Sequence, residues 1–208
     1  MMEMKSRLPQ IIYTLTAILT AGTVATTILY QSTSKEILLT LAITFGTCAY
    51  HFIMRLLVGS IVNSILHNKV DCCKRWFQVS ESEKKIYEKL GVKKWKNKMP
   101  TYRPDWFDPR LHSWKEIAQT MCQSEVGHEI IAVLSFLPVF AGIKFGAYPV
   151  FIITSIVSAG MDLIFVIMQR YNRQRIMRIL AAKSKNVYTA KNVKMLTTLT
   201  SSKDQSKI

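Results

Sequence analysis

FGAYPVFIITSIVSAGMDLIFVIMQRYNRQRIMRIL, residues 145–180, decides the fold. Its first twenty-four residues hold one charge, Asp162, and its last twelve hold four arginines. At about 1.5 Å per residue, residues 145–168 cover more than the ~30 Å hydrocarbon layer of a bilayer. An apolar run of that length ending in a cationic block reads as a membrane-spanning helix whose far end lies among lipid headgroups.

Three further runs extend this reading along the chain. Residues 11–30 are uncharged. Lys5 and Arg7 before them would fit a cleaved signal peptide, but the apolar run exceeds the usual length of one. Residues 37–66 are longer than one simple span and are interrupted by His51, Arg55 and Asn63; tilt, a bend near Gly59 or an exit onto the interface would accommodate the excess. Residues 126–143 form the third span, with Pro138 as a kink. Lys144 and the glycines at 142 and 146 make a tight turn into the fourth, 145–168. The expected fold is therefore all-α and integral to the membrane. It is a single domain of about four transmembrane helices, with an amphipathic insertion, residues 67–123, between helices two and three.

Charge sets the orientation. The formal net charge is +15, and the mean hydropathy is +0.15. Two Lys or Arg precede the first span, thirteen lie in 67–123 and ten follow from Arg170. The short connections on the other side carry only Lys35 and Lys144. The excess belongs on the cytoplasmic face, so the chain is expected in the cell membrane with both termini cytoplasmic. Positive charge beside apolar runs points to anionic lipid, and a soluble nucleic-acid-binding fold is excluded by the small core available to 67–123. Cys48, Cys72, Cys73 and Cys122 show no zinc or disulfide spacing and read as free thiols. The basic tail, 181–208, is assigned no function and is expected to lack fixed structure beyond about residue 194.

The insertion interleaves Trp76, Phe77, Tyr87, Trp95, Tyr102, Trp106, Phe107 and Trp114 with Lys and Arg, as interfacial segments do. Ser80 with Glu83, and Ser113 with Glu116, fit capping boxes that open two short helices. Trp114, Ile117, Ala118 and Met121 make an apolar stripe on the second. Glu125 and His128 continue that stripe, three residues apart. A histidine beside a carboxylate suits general base chemistry; an interfacial polar pair that anchors the helix accounts for the same spacing. One Glu-x-x-His motif falls short of the two that a di-iron bundle needs, so no metal is expected. His51, Arg55 and Asp162 lie inside apolar runs, where ionisable groups normally face the bundle interior. Arg55 and Asp162 could pair, for structure or for substrate. Gln169, Arg170, Tyr171, Asn172, Arg173 and Arg175 crowd the end of the last span, where Arg could bind a phosphate, a carboxylate or a sugar.

Three blocks together resemble one family: KKWKNKMP (93–100), SEVGHEIIAVLSFLPVF (124–140) and QRYNRQRIMRIL (169–180). They are similar to the glycosyl-4,4'-diaponeurosporenoate acyltransferases, small bacterial membrane proteins of staphyloxanthin-type carotenoid synthesis. The matching positions are Trp95, Lys96, Lys98, Glu125, His128, Leu137, Pro138, Gln169, Arg170, Tyr171, Asn172, Arg173 and Arg175, within residues 67–180. Gln174 stands where the family has proline, and the N-terminal apolar region is longer, which leaves room for an acceptor other than a carotenoid.

The resemblance implies transfer of a fatty acyl group to a sugar hydroxyl of a glycosylated carotenoid or similar glycolipid. On that reading His128 is the base and Glu125 orients it. Arg170 or Arg173 binds donor phosphates or the oxyanion, and the basic segment receives acyl-CoA or an acyl carrier protein; no bound cofactor is implied. The His-x4-Asp signature of glycerolipid acyltransferases is absent, since His67 and Asp71 enclose only three residues. A small membrane methyltransferase and a non-enzymatic lipid-binding scaffold are the alternatives. Four spans without an inverted repeat argue against a transporter, and a homo-oligomer remains open.

Overall fold

A computed structural model describes residues 6–205, with side chains for 6–185. Lys5, counted above on the N-terminal flank, lies outside the described residues. The described chain is all helical, without strands, and four of its helices are long and apolar enough to cross a membrane.

The first two are α1, Leu8–Thr33, and α2, Glu36–Leu66. They form a hairpin closed by Ser34, which adopts the left-handed conformation at φ 52°. Small residues bring them close: a Cβ on Gly22 would lie 3.2 Å from the Phe45 ring, and one on Gly46 would lie 3.3 Å from Thr23. Such contacts drive helix association where lipid removes the hydrophobic incentive. α1 buries none of its residues and packs mainly on α2. α2 is unbroken over 31 residues, so Gly59 does not bend it out of its ladder.

The segment after α2 holds α3, Glu81–Lys89, and α4, Val92–Trp95, between short 3-10 turns. Both expected capping boxes form, Ser80 with Glu83 and Ser113 with Glu116. The second opens α5, Trp114–Leu134, which runs unbroken from the interface into the third span. The interfacial helix and the span expected from residue 126 are thus one element. Nothing between Trp114 and Leu134 stops it; Gly127 alone costs only about 1 kcal/mol against alanine.

Pro138 does not kink a continuous helix. The α-helical ladder ends at Leu134, and Leu137–Ala141 continue as a 3-10 turn with the proline among its first residues. Proline lacks the N–H an α-helical interior requires and its ring clashes with the preceding turn. The short α6, Gly142–Phe145, then leads into α7, Tyr148–Gln205. A Cβ on Gly142 would stand 2.6 Å from the Tyr148 ring, and Gly146 takes φ 69°, so this turn needs both glycines.

α7 is longer than the span expected at 145–168, and it corrects the reading of the tail: the helix carries on past residue 194 to Gln205. Residues 169–205 contain neither Gly nor Pro, and extending a formed helix is far easier than nucleating one.

α5 packs along α7, and α2 packs on α5. Met54, Val58, Val62 and Ile131 fill the contact of α2 with α5. A second cluster of Cys72, Phe77, Ile117, Ala118, Met121, Cys122 and Ile176 seats the intervening segment on α5 and α7. Within it Cys122 Sγ lies 2.7 Å from Cys72 Sγ. Treating the intact protein with a thiol oxidant such as diamide is therefore expected to join Cys72 to Cys122, with loss of two hydrogen atoms by mass spectrometry of the linked peptides. Linkage of Cys73 in preference to Cys72 would contradict the docking of this segment.

Candidate functional site

Two polar layers cross the bundle where α5, α7 and α2 meet. Each answers the same problem: an ionisable group withdrawn from water needs a partner.

The layer nearer the intervening segment is built on Glu125, which is fully buried. Arg170 Nε donates to its Oε1 at 2.7 Å, and Arg173 Nη1 donates to its Oε2. Arg173, 1% exposed, also donates to the Phe77 carbonyl at 2.6 Å and lies over the Phe77 ring. Arg170 reaches Glu83 Oε1 at 2.6 Å and the Trp76 carbonyl at 2.9 Å, with Glu129 3.6 Å away. Trp76 Nε1 in turn donates to Glu129 at 2.9 Å. This layer ties the 3-10 turn Arg75–Phe77 and α3 to the spans.

Burial works against ionisation of Glu83, yet hydrogen bonds from the Ser80 N–H and Arg170 hold its carboxyl below the ordinary range. Burial, with the charge of Glu83, pushes the adjacent Tyr87 phenol up to about 12.

The second layer lies about one helical turn further along α5. His128 Nδ1 is 2.8 Å from Asp162 Oδ1. A carboxylate only accepts hydrogen bonds, so Nδ1 carries the hydrogen, and in the neutral ring Nε2 is the bare nitrogen. Arg55 Nη2 donates to the other oxygen of Asp162 at 2.5 Å and to Ser158 Oγ at 2.8 Å. Ser158 Oγ continues to Ser135 Oγ at 2.9 Å. Asp162 is 2% exposed, while the His128 side chain is a quarter exposed and stacks on Phe165 with ring centroids 4.8 Å apart. Among the described residues no protein group occupies His128 Nε2. His51, on the same face of α2 as Arg55, is buried with neither ring nitrogen bonded, as is Ser155 Oγ on α7.

The structure therefore reassigns the candidate residues. Glu125 does not orient His128; it turns to Arg170 and Arg173 on α7, and Asp162 takes its place beside the imidazole. Arg170 and Arg173 are committed to carboxylates and backbone carbonyls, which leaves Arg173 in particular closed to a ligand. Trp95 donates its indole N–H to the Leu90 carbonyl at 3.1 Å and caps the end of α3. Gln169 reaches Ser124 Oγ at 3.4 Å. Lys96 donates to Asn172 Oδ1 at 2.6 Å and sits over the Tyr171 ring, while Lys98 is exposed.

Ser158, Ser135 and Phe165 belong to these layers and were not legible in the sequence, and Glu83, expected only as a capping residue, also pairs with Arg170. Ser158 and Ser155 stand four and seven residues before Asp162, on one helical face, and that spacing was the available signal. Among the described residues no three His, Cys, Asp or Glu side chains gather to hold a metal.

A family model described as glycosyl-4,4'-diaponeurosporenoate acyltransferase matches residues 73–182, just over half of the chain. That range contains both layers except Arg55. No curated protein and no solved structure matches.

Removing one member of a buried ion pair strands the other. Glu125→Gln is expected to cost about 3–5 kcal/mol, seen as a lower melting temperature of the detergent-solubilised protein, whereas Glu81→Gln at the surface should shift it little. Glu83, with its lowered pKa, stabilises the fold above the carboxylate range of the unfolded chain, and that contribution is lost as pH falls through the folded value. Hydrogen-exchange protection of α3, measured relative to the intrinsic exchange rate at each pH, should fall on acidification in the wild type, and that acid-dependent loss should vanish in Glu83→Gln.

Proposed function

We infer the function of this chain from two facts: it belongs to the glycosyl-4,4'-diaponeurosporenoate acyltransferase family, and its bundle holds an oriented histidine with one bare nitrogen. The family acts by acyl transfer in carotenoid synthesis. The reading adopted is a membrane acyltransferase that moves a fatty acyl group from a thioester donor to a sugar hydroxyl of a glycosylated carotenoid or similar glycolipid. The donor is acyl-CoA or an acyl carrier protein. The spans lie in the cell membrane with both chain ends cytoplasmic, as the placement of Lys and Arg supports. The acceptor then arrives through the membrane and the donor from the water side.

The single observation that carries the reading is the His128–Asp162 hydrogen bond. A sugar hydroxyl is too weak an acid to attack a thioester unaided. A base that takes its proton as the C–O bond forms contributes typically 10²–10⁴-fold. Asp162 fixes the imidazole tautomer and balances the charge that appears when Nε2 accepts the proton. Arg55 supplies the counter-charge that lets Asp162 stay buried, and Ser158 holds Arg55 in place. As the ester C–O bond forms, the C–S bond breaks and the thiolate takes the proton back from His128. The neighbouring Phe165 ring keeps one face of the imidazole dry.

The test is acylation in bacterial membranes carrying the protein, a glycosylated carotenoid and other glycolipids, read by mass spectrometry of extracted lipids. The wild type should add the mass of one fatty acyl chain. His128→Ala, at matched membrane abundance, should lower the rate by about 10²–10⁴-fold. Unchanged rates in His128→Ala would remove the histidine from the chemistry, and absence of any acylated product with the wild type would reject the activity.

A further inference from the structure

The cytoplasmic ends of α5 and α7 enclose a cleft of about 240 Å³ that neither polar layer fills. Ile117 and Met121 on α5 and Ile176 and Ile179 on α7 form its apolar floor. Asn172 and Arg175 stand at its rim.

The rim has an unusual charge balance. Arg170 and Arg173, from the same stretch of α7, each face a carboxylate. Arg175 is exposed and has no acidic partner among the described residues. Lys96 is brought beside it by its hydrogen bond to Asn172 and by the Tyr171 ring, 5.4 Å from Nζ. Burial and the nearby Arg175 charge hold the Lys96 amino group below its ordinary pKa. Two cations are thus kept close against their repulsion, Arg175 lining the cleft and Lys96 bonded to Asn172 at its edge. Mere anchoring to headgroups does not need this, because lysines along the segment would serve equally well from separate positions. An anionic group joined to an apolar chain complements both halves of the cleft.

Trp114, Ile117, Met121, Glu125 and His128 fall at i, i+3, i+7, i+11 and i+14, one stripe of α5, with the buried Glu125 and its arginines between the cleft and the histidine. Met121 precedes His128 by seven residues, about 10 Å along the helix.

We propose that this cleft is the acyl-donor subsite, in which Lys96 and Arg175 bind the phosphate of a phosphate-bearing acyl thioester and the apolar side chains of Ile117 and Met121 receive the apolar part of the donor. The assignment rests on the acyl-transfer reading, and it names where the donor sits. Anionic phospholipid shares the same chemistry of phosphate and acyl chain and is the rival occupant.

The experiment is equilibrium binding of a radiolabelled long-chain acyl-CoA to the full chain in phosphatidylcholine nanodiscs. It is repeated with phosphatidylglycerol added and run alongside acylation assays on the same samples. The wild type should bind saturably. Lys96→Ala and Arg175→Ala should each weaken binding about tenfold, the scale of one charge-assisted hydrogen bond. Lys96→Arg should restore most of it, and His128→Ala should bind as the wild type does. In turnover, the two alanine variants should raise KM for the donor and leave kcat nearly unchanged.

Unchanged binding in the double alanine variant would overturn the subsite. So would displacement of acyl-CoA by phosphatidylglycerol at matched surface concentration, which would make the cleft a lipid site. Binding that depends on Lys96 and Arg175 without acylation of any acceptor would uphold the subsite and reject the transfer reaction. Acylation with an unaltered donor KM in the double variant would do the reverse.

Discussion

Glu125 is a carboxylate with no exposed surface, at the level where α5 enters the apolar part of the bundle. Withdrawing such a charge from water costs several kcal/mol, which only close opposite charge and further hydrogen bonds offset. Arg170 and Arg173 provide both, and they donate further hydrogen bonds to Glu83 and to the carbonyls of Trp76 and Phe77. The arginines are therefore correctly placed only when the segment between α2 and α5 is docked. This one constraint locks α5 to α7, fixes their register and closes the segment over the ends of the spans.

Register is what the second layer requires. His128 and Asp162 come from different helices, and their 2.8 Å contact survives only if α5 and α7 do not slide. Arg55 brings α2 into the same arrangement through Asp162 and Ser158. The two layers differ physically: the first surrounds a fully buried carboxylate with opposite charge, and the second leaves one ring nitrogen of His128 without a protein partner among the described residues. The cleft lies on the other side of the first layer, where Lys96 and Arg175 stand without a carboxylate partner among the described residues.

Much of the fold was legible because its signals are local. Charge-free runs marked the spans, the two capping boxes marked α3 and α5, and intramembrane charge singled out His51, Arg55 and Asp162. The Arg55–Asp162 pair followed from the rule that such charges seek each other. The partner of His128 was not legible. Spacing on one helix offers Glu125 as the neighbour three residues away, but cross-helix distances depend on packing, and there the arginines of α7 claim Glu125 while Asp162 meets the histidine. The same limit hid the role of QRYNRQR, a block whose cations split between buried pairs and an open rim. The tail was misread because its polarity argues against burial, not against continuing α7.

The account stands on Asp162 holding a hydrogen on Nδ1 of His128 and leaving Nε2 bare. The direct measurement is nitrogen NMR of the protein in lipid bilayers with ¹⁵N-labelled histidine, above the pH at which the ring is protonated, and with His128→Gln to assign the signals. The account predicts a His128 ring protonated at Nδ1, and loss of that preference in Asp162→Asn. A His128 ring protonated at Nε2, or one whose tautomer is indifferent to Asp162→Asn, would contradict it.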